Sequence, residues 1–185
     1  PHGERCTALA HAARLAEDPA VRAERLVAAA DHARLAGRPH RARELLDQVG
    51  DLAGRDAVRG RAALVRGLLA LRDGPVADAR ESLLLAARLC VAPASLEARL
   101  GAAEASWALG DAAGYREAVE HGGGARPADS ALDYRVGMAA SLGERAGVGR
   151  VALRRVVARS AGEREPGVLL RAEAAALVAG DVDAA

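Results

Sequence analysis

Leu64, Leu68 and Leu71 stand at i, i+4 and i+7, with Val65 and Leu69 beside them, and mark a broad apolar face at the period of an α-helix. Helical spacing of this kind runs along the chain, and no segment sustains two-residue alternation with β-branched residues. The pattern therefore predicts helices and no strands. Glycine and proline divide it into helices at about residues 4–17, 20–36, 40–49, 56–72, 76–89, 94–109, 112–121, 128–142, 148–160 and 167–179. Asp18-Pro19 ends the first, because proline disfavours helical geometry in the residue before it. At Gly37-Arg38-Pro39 the glycine suits a left-handed C′ position and the proline can start the next helix. Segments 49–54 and 122–127 read as loops, and the triple glycine Gly122-Gly123-Gly124 makes the second the softest joint.

The punctuation is periodic. Gly37, Gly74, Gly110, Gly143 and Gly180 each end a long helix, at intervals of 37, 36, 33 and 37 residues by subtraction. One period in this range is the signature of a helix-turn-helix repeat array. Short turns make successive helices antiparallel neighbours. The expected fold is all-α, an α-solenoid of antiparallel helix pairs forming a single repeat domain over residues 1–185. Arrays of this kind present an extended surface that suits binding better than catalysis. The fifth long helix has its turn, Gly180-Asp181, but lacks its partner helix, and the chain starts without Met. Both ends read as cut from a larger protein.

Composition adds limits. Apolar residues make up 51% and charged residues 28% of 185 residues, a soluble globular balance. Phe, Ile, Lys and Asn are absent, so every cationic side chain apart from histidine is an arginine, a planar fork for carboxylate or phosphate. Net charge is +1 with acids and bases interleaved, unlike the concentrated basic face of a nucleic-acid binder. Direct contact with nucleic acid is therefore not expected. Cys6 and Cys90 are single and far apart, which fits a reduced, cytoplasmic setting. No signal peptide and no apolar run of membrane-spanning length is visible, so no membrane partner is expected.

The repeat has a recognisable form. Ala42, Ala79 and Ala185 each follow a turn glycine by five residues, and Gly67 puts a small residue inside a first helix. In these features, and in Asp18-Pro19, the chain resembles tetratricopeptide repeats, whose small residues let two helices approach closely. Tyr115 and Val148 stand at the small position in the third and fourth pairs, so the array is tetratricopeptide-like and degenerate. A narrower resemblance rests on Pro19 to Leu26, on Leu-Ala-Gly-Arg-Pro-His-Arg-Ala-Arg-Glu-Leu-Leu from Leu35 to Leu46, on Ala103 to Asp111, and on Leu153 to Val157. These stretches resemble the helical arm of large ATP-binding LuxR-type transcriptional regulators of actinomycetes. The resemblance implies a P-loop ATPase with Mg-ATP before this segment, a DNA-binding helix-turn-helix after it, and a sensor arm between them. The arm would couple a small-molecule or protein effector to those modules. The alternative is a peptide-binding tetratricopeptide scaffold unrelated to transcription.

Motifs for chemistry are scarce. The P-loop requires a lysine, and this chain has none, so no ATP site falls within it. His121-Gly122-Gly123-Gly124 mimics an esterase oxyanion segment, but no serine sits in a G-x-S-x-G elbow and no parallel sheet carries one. His2, His11, His32, His40 and His121 include no i, i+4 pair, so spacing suggests no metal site. Glu163 and Glu165, beside Pro166, read as solvated. The chain is expected to have no catalytic activity and no cofactor of its own.

Trp107, the single tryptophan, is the candidate ligand residue. With Gly110 on the turn glycine of the repeat, Trp107 falls where the repeat faces its concave groove. The same register aims Leu64, Leu68, Leu71, Arg61 and Arg72 of the second pair, and Leu100 and Glu104 of the third, toward that groove. An apolar floor with a few charged groups suits a small molecule or peptide. The competing reading packs Trp107 against Tyr115 in the core between its own two helices.

Overall fold

The computed structural model describes residues 1–50, 54–120, 130–142 and 146–181. Ten helices are present among them and no strand: α1 (His2–Arg14), α2 (Pro19–Leu35), α3 (Pro39–Asp47), α4 (Asp56–Asp73), α5 (Val76–Leu89), α6 (Ala94–Ala108), α7 (Ala112–Glu120), α8 (Ser130–Ser141), α9 (Ala146–Ser160) and α10 (Pro166–Ala179). The chain is all-α, as the apolar period requires. It divides into two compact units, Pro1–Asp111 and Ala112–Ala185. The division falls in the turn between α6 and α7. The triple-glycine segment, with His121 and residues 122–127, lies outside the described residues, as do Gly143 and Ala185.

Caps set the helix ends. The Asp18 side chain accepts a hydrogen bond from the Ala20 amide at 2.8 Å, and Pro19 takes the first helical position of α2, where no amide donor is needed. Gly37, Gly110 and Gly180 have φ of 71°, 69° and 74°. After each, the next amide donates back five residues, Arg38 to Ala33, Asp111 to Ser106 and Asp181 to Ala176, each at 2.9 Å. This is the left-handed glycine stop that the spacing predicted. Gly74 departs from it, with φ −139° and ψ −172°. Pro75 follows directly, and the residue before a proline is pushed into extended backbone.

In the first unit each helix packs on its sequence neighbour, α1 on α2, α2 on α3, α4 on α5 and α5 on α6. The long helices α2, α4 and α6 also lie side by side. The core is unusually rich in alanine: Ala23, Ala29, Ala30, Ala33 and Ala42 are fully buried, with Leu45, Leu46, Val27 and Val49 almost so. Small side chains let helix backbones approach, and the leucines fill the space between. Each fully buried leucine contributes about 1.5–3 kcal/mol.

The close approach repeats at a fixed offset. Ala30 on α2 is matched by Ala42 twelve residues later and Leu46 sixteen later. Gly67 on α4 is matched by Ala79 and Leu83, and a Cβ at Gly67 would lie 2.5 Å from Leu83 Cγ and 3.2 Å from the Ala79 carbonyl oxygen. In the second unit Gly137 on α8 is matched by Gly149 and Leu153, with a virtual Cβ 2.6 Å from Leu153 Cγ and 3.1 Å from the Gly149 oxygen. Counting from the turn glycine placed Val148 at this small position. The structure corrects that to Gly149, with Val148 62% exposed. The physical reason is phase: α9 begins at Ala146, so the packed face is set by the offset from Gly137 and not by the turn. Around this crossing α8, α9 and α10 pack together, and α7 packs on α8.

Candidate functional site

The candidate face lies in the first unit and is built by the period itself. Four rows of repeat-equivalent positions run across α2, α4 and α6: Glu24, Arg61 and Glu97; Val27, Leu64 and Leu100; Asp31, Leu68 and Glu104; Arg34, Leu71 and Trp107. Within each helix these positions stand three or four residues apart, so they share one helix face. Because α2, α4 and α6 are adjacent, the three stripes form one surface.

Burial grades across it. Val27 and Leu64 are 2% and 7% exposed and form the floor. Leu68, Leu71 and Leu100 are half-buried, Arg61, Arg72 and Glu104 are exposed, and Trp107 is 41% exposed. The structure thus brings the sequence-predicted residues onto neighbouring helices, with Leu64 beneath the surface and the indole at it. Tyr115 is buried and belongs to the other unit.

Four charged residues beyond those read from the sequence, Glu24, Asp31, Arg34 and Glu97, shape the face. Arg34 Nη2 donates to Asp31 Oδ1 at 2.7 Å and comes within 4.0 Å of Glu97 Oε1. An arginine on α2 therefore reaches a carboxylate on α6 across α4. The signal was present in the period, since Arg34 is the repeat equivalent of Leu71 and Trp107, and Glu97 of Arg61. Glu24 meets Arg55 at 3.5 Å.

Beside this tie a cavity of about 180 Å³ opens between α2 and α4, lined by Glu24, Val27, Ala57, Val58 and Arg61. Neither Arg61 nor Arg72 has an ion pair or hydrogen bond among the described residues. Arg61 stands near Cys90, whose thiol is pushed up from its ordinary pKa by burial, with the arginine opposing that shift. The thiol is therefore protonated at neutral pH and a poor nucleophile. What the surface offers is an apolar strip, free guanidinium forks and a tryptophan edge, which are means of holding a ligand.

Elsewhere, His2 and His32 face each other with Nδ1 atoms 2.9 Å apart. No group of three or more His, Cys, Asp or Glu side chains able to hold a metal occurs among the described residues. No described helix is long and apolar enough to cross a membrane. Comparison with protein-family models, curated proteins and solved structures finds no match for this chain.

Proposed function

We propose that this chain is a non-catalytic binding arm whose α2–α4–α6 face receives an effector. The observation that carries the reading is the four-row surface. Three stripes at repeat spacing combine an apolar floor, Arg61 and the exposed Trp107, with Arg72 next to Leu71 at the edge, and neither arginine is paired among the described residues. Binding would work by burying the indole and the half-buried leucines while a guanidinium takes an acidic group of the ligand. Sequence resemblance supplies the setting: the sensor arm of a cytoplasmic LuxR-type transcriptional regulator. There the occupied face would bias an ATPase module, with its Mg-ATP, and a helix-turn-helix carried elsewhere in the protein. Coupling of that kind requires the ligand to bind two states of the arm with different affinity.

The test uses the full-length protein. Trp107→Ala with Leu100→Ala should abolish effector-dependent transcription while ATP binding is unchanged. An effector response equal to wild type would overturn the reading. The gene on either side decides the setting: a P-loop upstream and a helix-turn-helix downstream are required, and their absence leaves a peptide-binding scaffold.

A further inference from the structure

The second unit carries a surface unlike the first. Helix α9 runs from Ala146 to Ser160 and holds four arginines, Arg150, Arg154, Arg155 and Arg159, and no acidic residue. Its buried side, Gly149, Ala152, Leu153 and Val156, faces the core of its unit, where α9 packs on α8 and α10. The other half of the helix is open. At 3.6 residues per turn, Arg150 and Arg154 run along one flank and Arg155 and Arg159 along the other. Between the flanks stand Val151, 57% exposed, and Ala158 two turns further on, also exposed, while Val148, 62% exposed, lies on the Arg155–Arg159 side. Isolated exposed valines are ordinary. An exposed apolar strip between two arginine rails is not, whereas arginines such as Arg34, Arg43 and Arg80 pair with neighbouring carboxylates.

The two rails differ. Arg155 and Arg159 share a single carboxylate, Asp133 on α8, with Arg155 Nη2 at 2.6 Å from Oδ1. Two guanidiniums on one carboxylate leave a surplus positive charge. Arg150 and Arg154 make no ion pair or hydrogen bond among the described residues. The open half of α9 is thus cationic on both sides and apolar along the middle, over a length of about 22 Å for fifteen residues.

We propose that this face of α9 docks an acidic amphipathic helix of a partner protein, its apolar ridge on Val151 and Ala158, with Val148 at the edge of the contact, and its flanking carboxylates on the two arginine rails. Charge complementarity selects an acidic partner. The apolar strip selects a helix over a nucleic acid, since a phosphate backbone would bury the valines against polar oxygens and gain nothing from them. Rails on both sides of the strip also match the period of a partner helix, in which apolar residues at i, i+3 and i+7 are flanked by charges. The proposal rests on a different unit and different residues from the reading above, and either can fail alone.

The experiment titrates the 185-residue chain with a fluorescent helical peptide of leucines at i, i+3 and i+7 flanked by glutamates. Parallel titrations use the same peptide with glutamine for glutamate, duplex DNA, and vesicles containing phosphatidylglycerol. The expected result is saturable binding of the glutamate peptide, weaker with rising salt, and about tenfold or more weaker for the glutamine peptide. Val151→Asn and Arg154→Gln, both at exposed positions that leave the core untouched, should each weaken it by about fivefold or more while the circular dichroism spectrum is unchanged. No saturable binding, wild-type affinity in either variant, or tighter binding of DNA or vesicles than of the glutamate peptide would overturn the proposal.

Discussion

Gly67→Ala should destabilise the first unit, although alanine is the better helix former. The exchange gains about 1 kcal/mol of helix propensity inside α4. Against that, the new Cβ would lie 2.5 Å from Leu83 Cγ and 3.0 Å from its Cδ2, so something must move by about 1 Å. Leu83 cannot move freely. It is fully buried, and a Cβ on Gly101 of α6 would sit 3.0 and 3.1 Å from its two terminal methyls. The leucine is wedged between the backbones of two helices. Overpacking of that kind costs about 1–3 kcal/mol, so a net loss of about 1 kcal/mol is expected. Urea unfolding followed by Trp107 emission reports on this unit, which contains the single tryptophan. Leu83→Ala alone should cost about 2–5 kcal/mol, and it should cost less in the Gly67→Ala background, with a coupling of about 0.5–3 kcal/mol. A Gly67→Ala midpoint at or above wild type, additive with Leu83→Ala, would refute the wedge.

Ala42→Leu and Ala79→Leu should each lower the thermal midpoint more than Ala20→Leu, because the first two positions are fully closed and the third is not. Equal midpoints for the three would remove the repeat register from the argument. The Arg155 guanidinium bonded to Asp133 lowers that carboxyl from its ordinary pKa, burial opposing, with the charges of Arg155 and Arg159 adding to the lowering. A depressed folded-state pKa stabilises the fold above the unfolded value and is lost as pH falls from the ordinary carboxylate range through the lowered one. Asp133→Asn should therefore cost up to about 1 kcal/mol at neutral pH and flatten that acid limb, read by circular dichroism at 222 nm. Trp107, 41% exposed, should be quenched by acrylamide, and a blue-shifted, shielded emission in the ligand-free chain would place the indole in a core instead.

The helices were legible because their causes are local: apolar period, proline at first turns, glycine at last turns. The small residues Ala42, Ala79 and Gly67 were legible for the same reason, as offsets within a pair. What escaped was set by contacts between pairs. Leu83 reads in the sequence as one leucine among several on α5, and only the backbones of α4 and α6 make it a wedge. Arg34 reads as an ordinary partner for Asp31 three residues before it, and its reach to Glu97 depends on how α2, α4 and α6 lie side by side. Gly149 is hidden in the sequence because the turn glycine does not set the packed face of α9; the crossing at Gly137 does. Averaging hid the α9 surface. A net charge of +1 over the chain includes a fifteen-residue helix with four arginines and no acid.

One register position shows how the two units use the same residue differently. Arg43 follows Ala42 and pairs with Asp73, at the turn of the next long helix. Arg80 follows Ala79 and reaches Asp111, at the turn after that, with Nη1 to Oδ2 of 2.5 Å. Each such arginine stitches one helix pair to the following turn. Arg150 follows Gly149 in the same way, and Asp181 stands 31 residues on, as Asp111 does from Arg80. No Arg150–Asp181 ion pair is present among the described residues. Losing a half-buried stitch removes about 0.5–1 kcal/mol, whereas losing an unpaired exposed arginine removes little. Arg80→Ala should therefore lower the unfolding midpoint of its unit, and Arg150→Ala should leave stability unchanged while weakening capture of the acidic helical peptide by about fivefold. Equal destabilisation by both would mean that Arg150 is a third stitch, and that the rail it forms on α9 belongs to the fold and not to a partner.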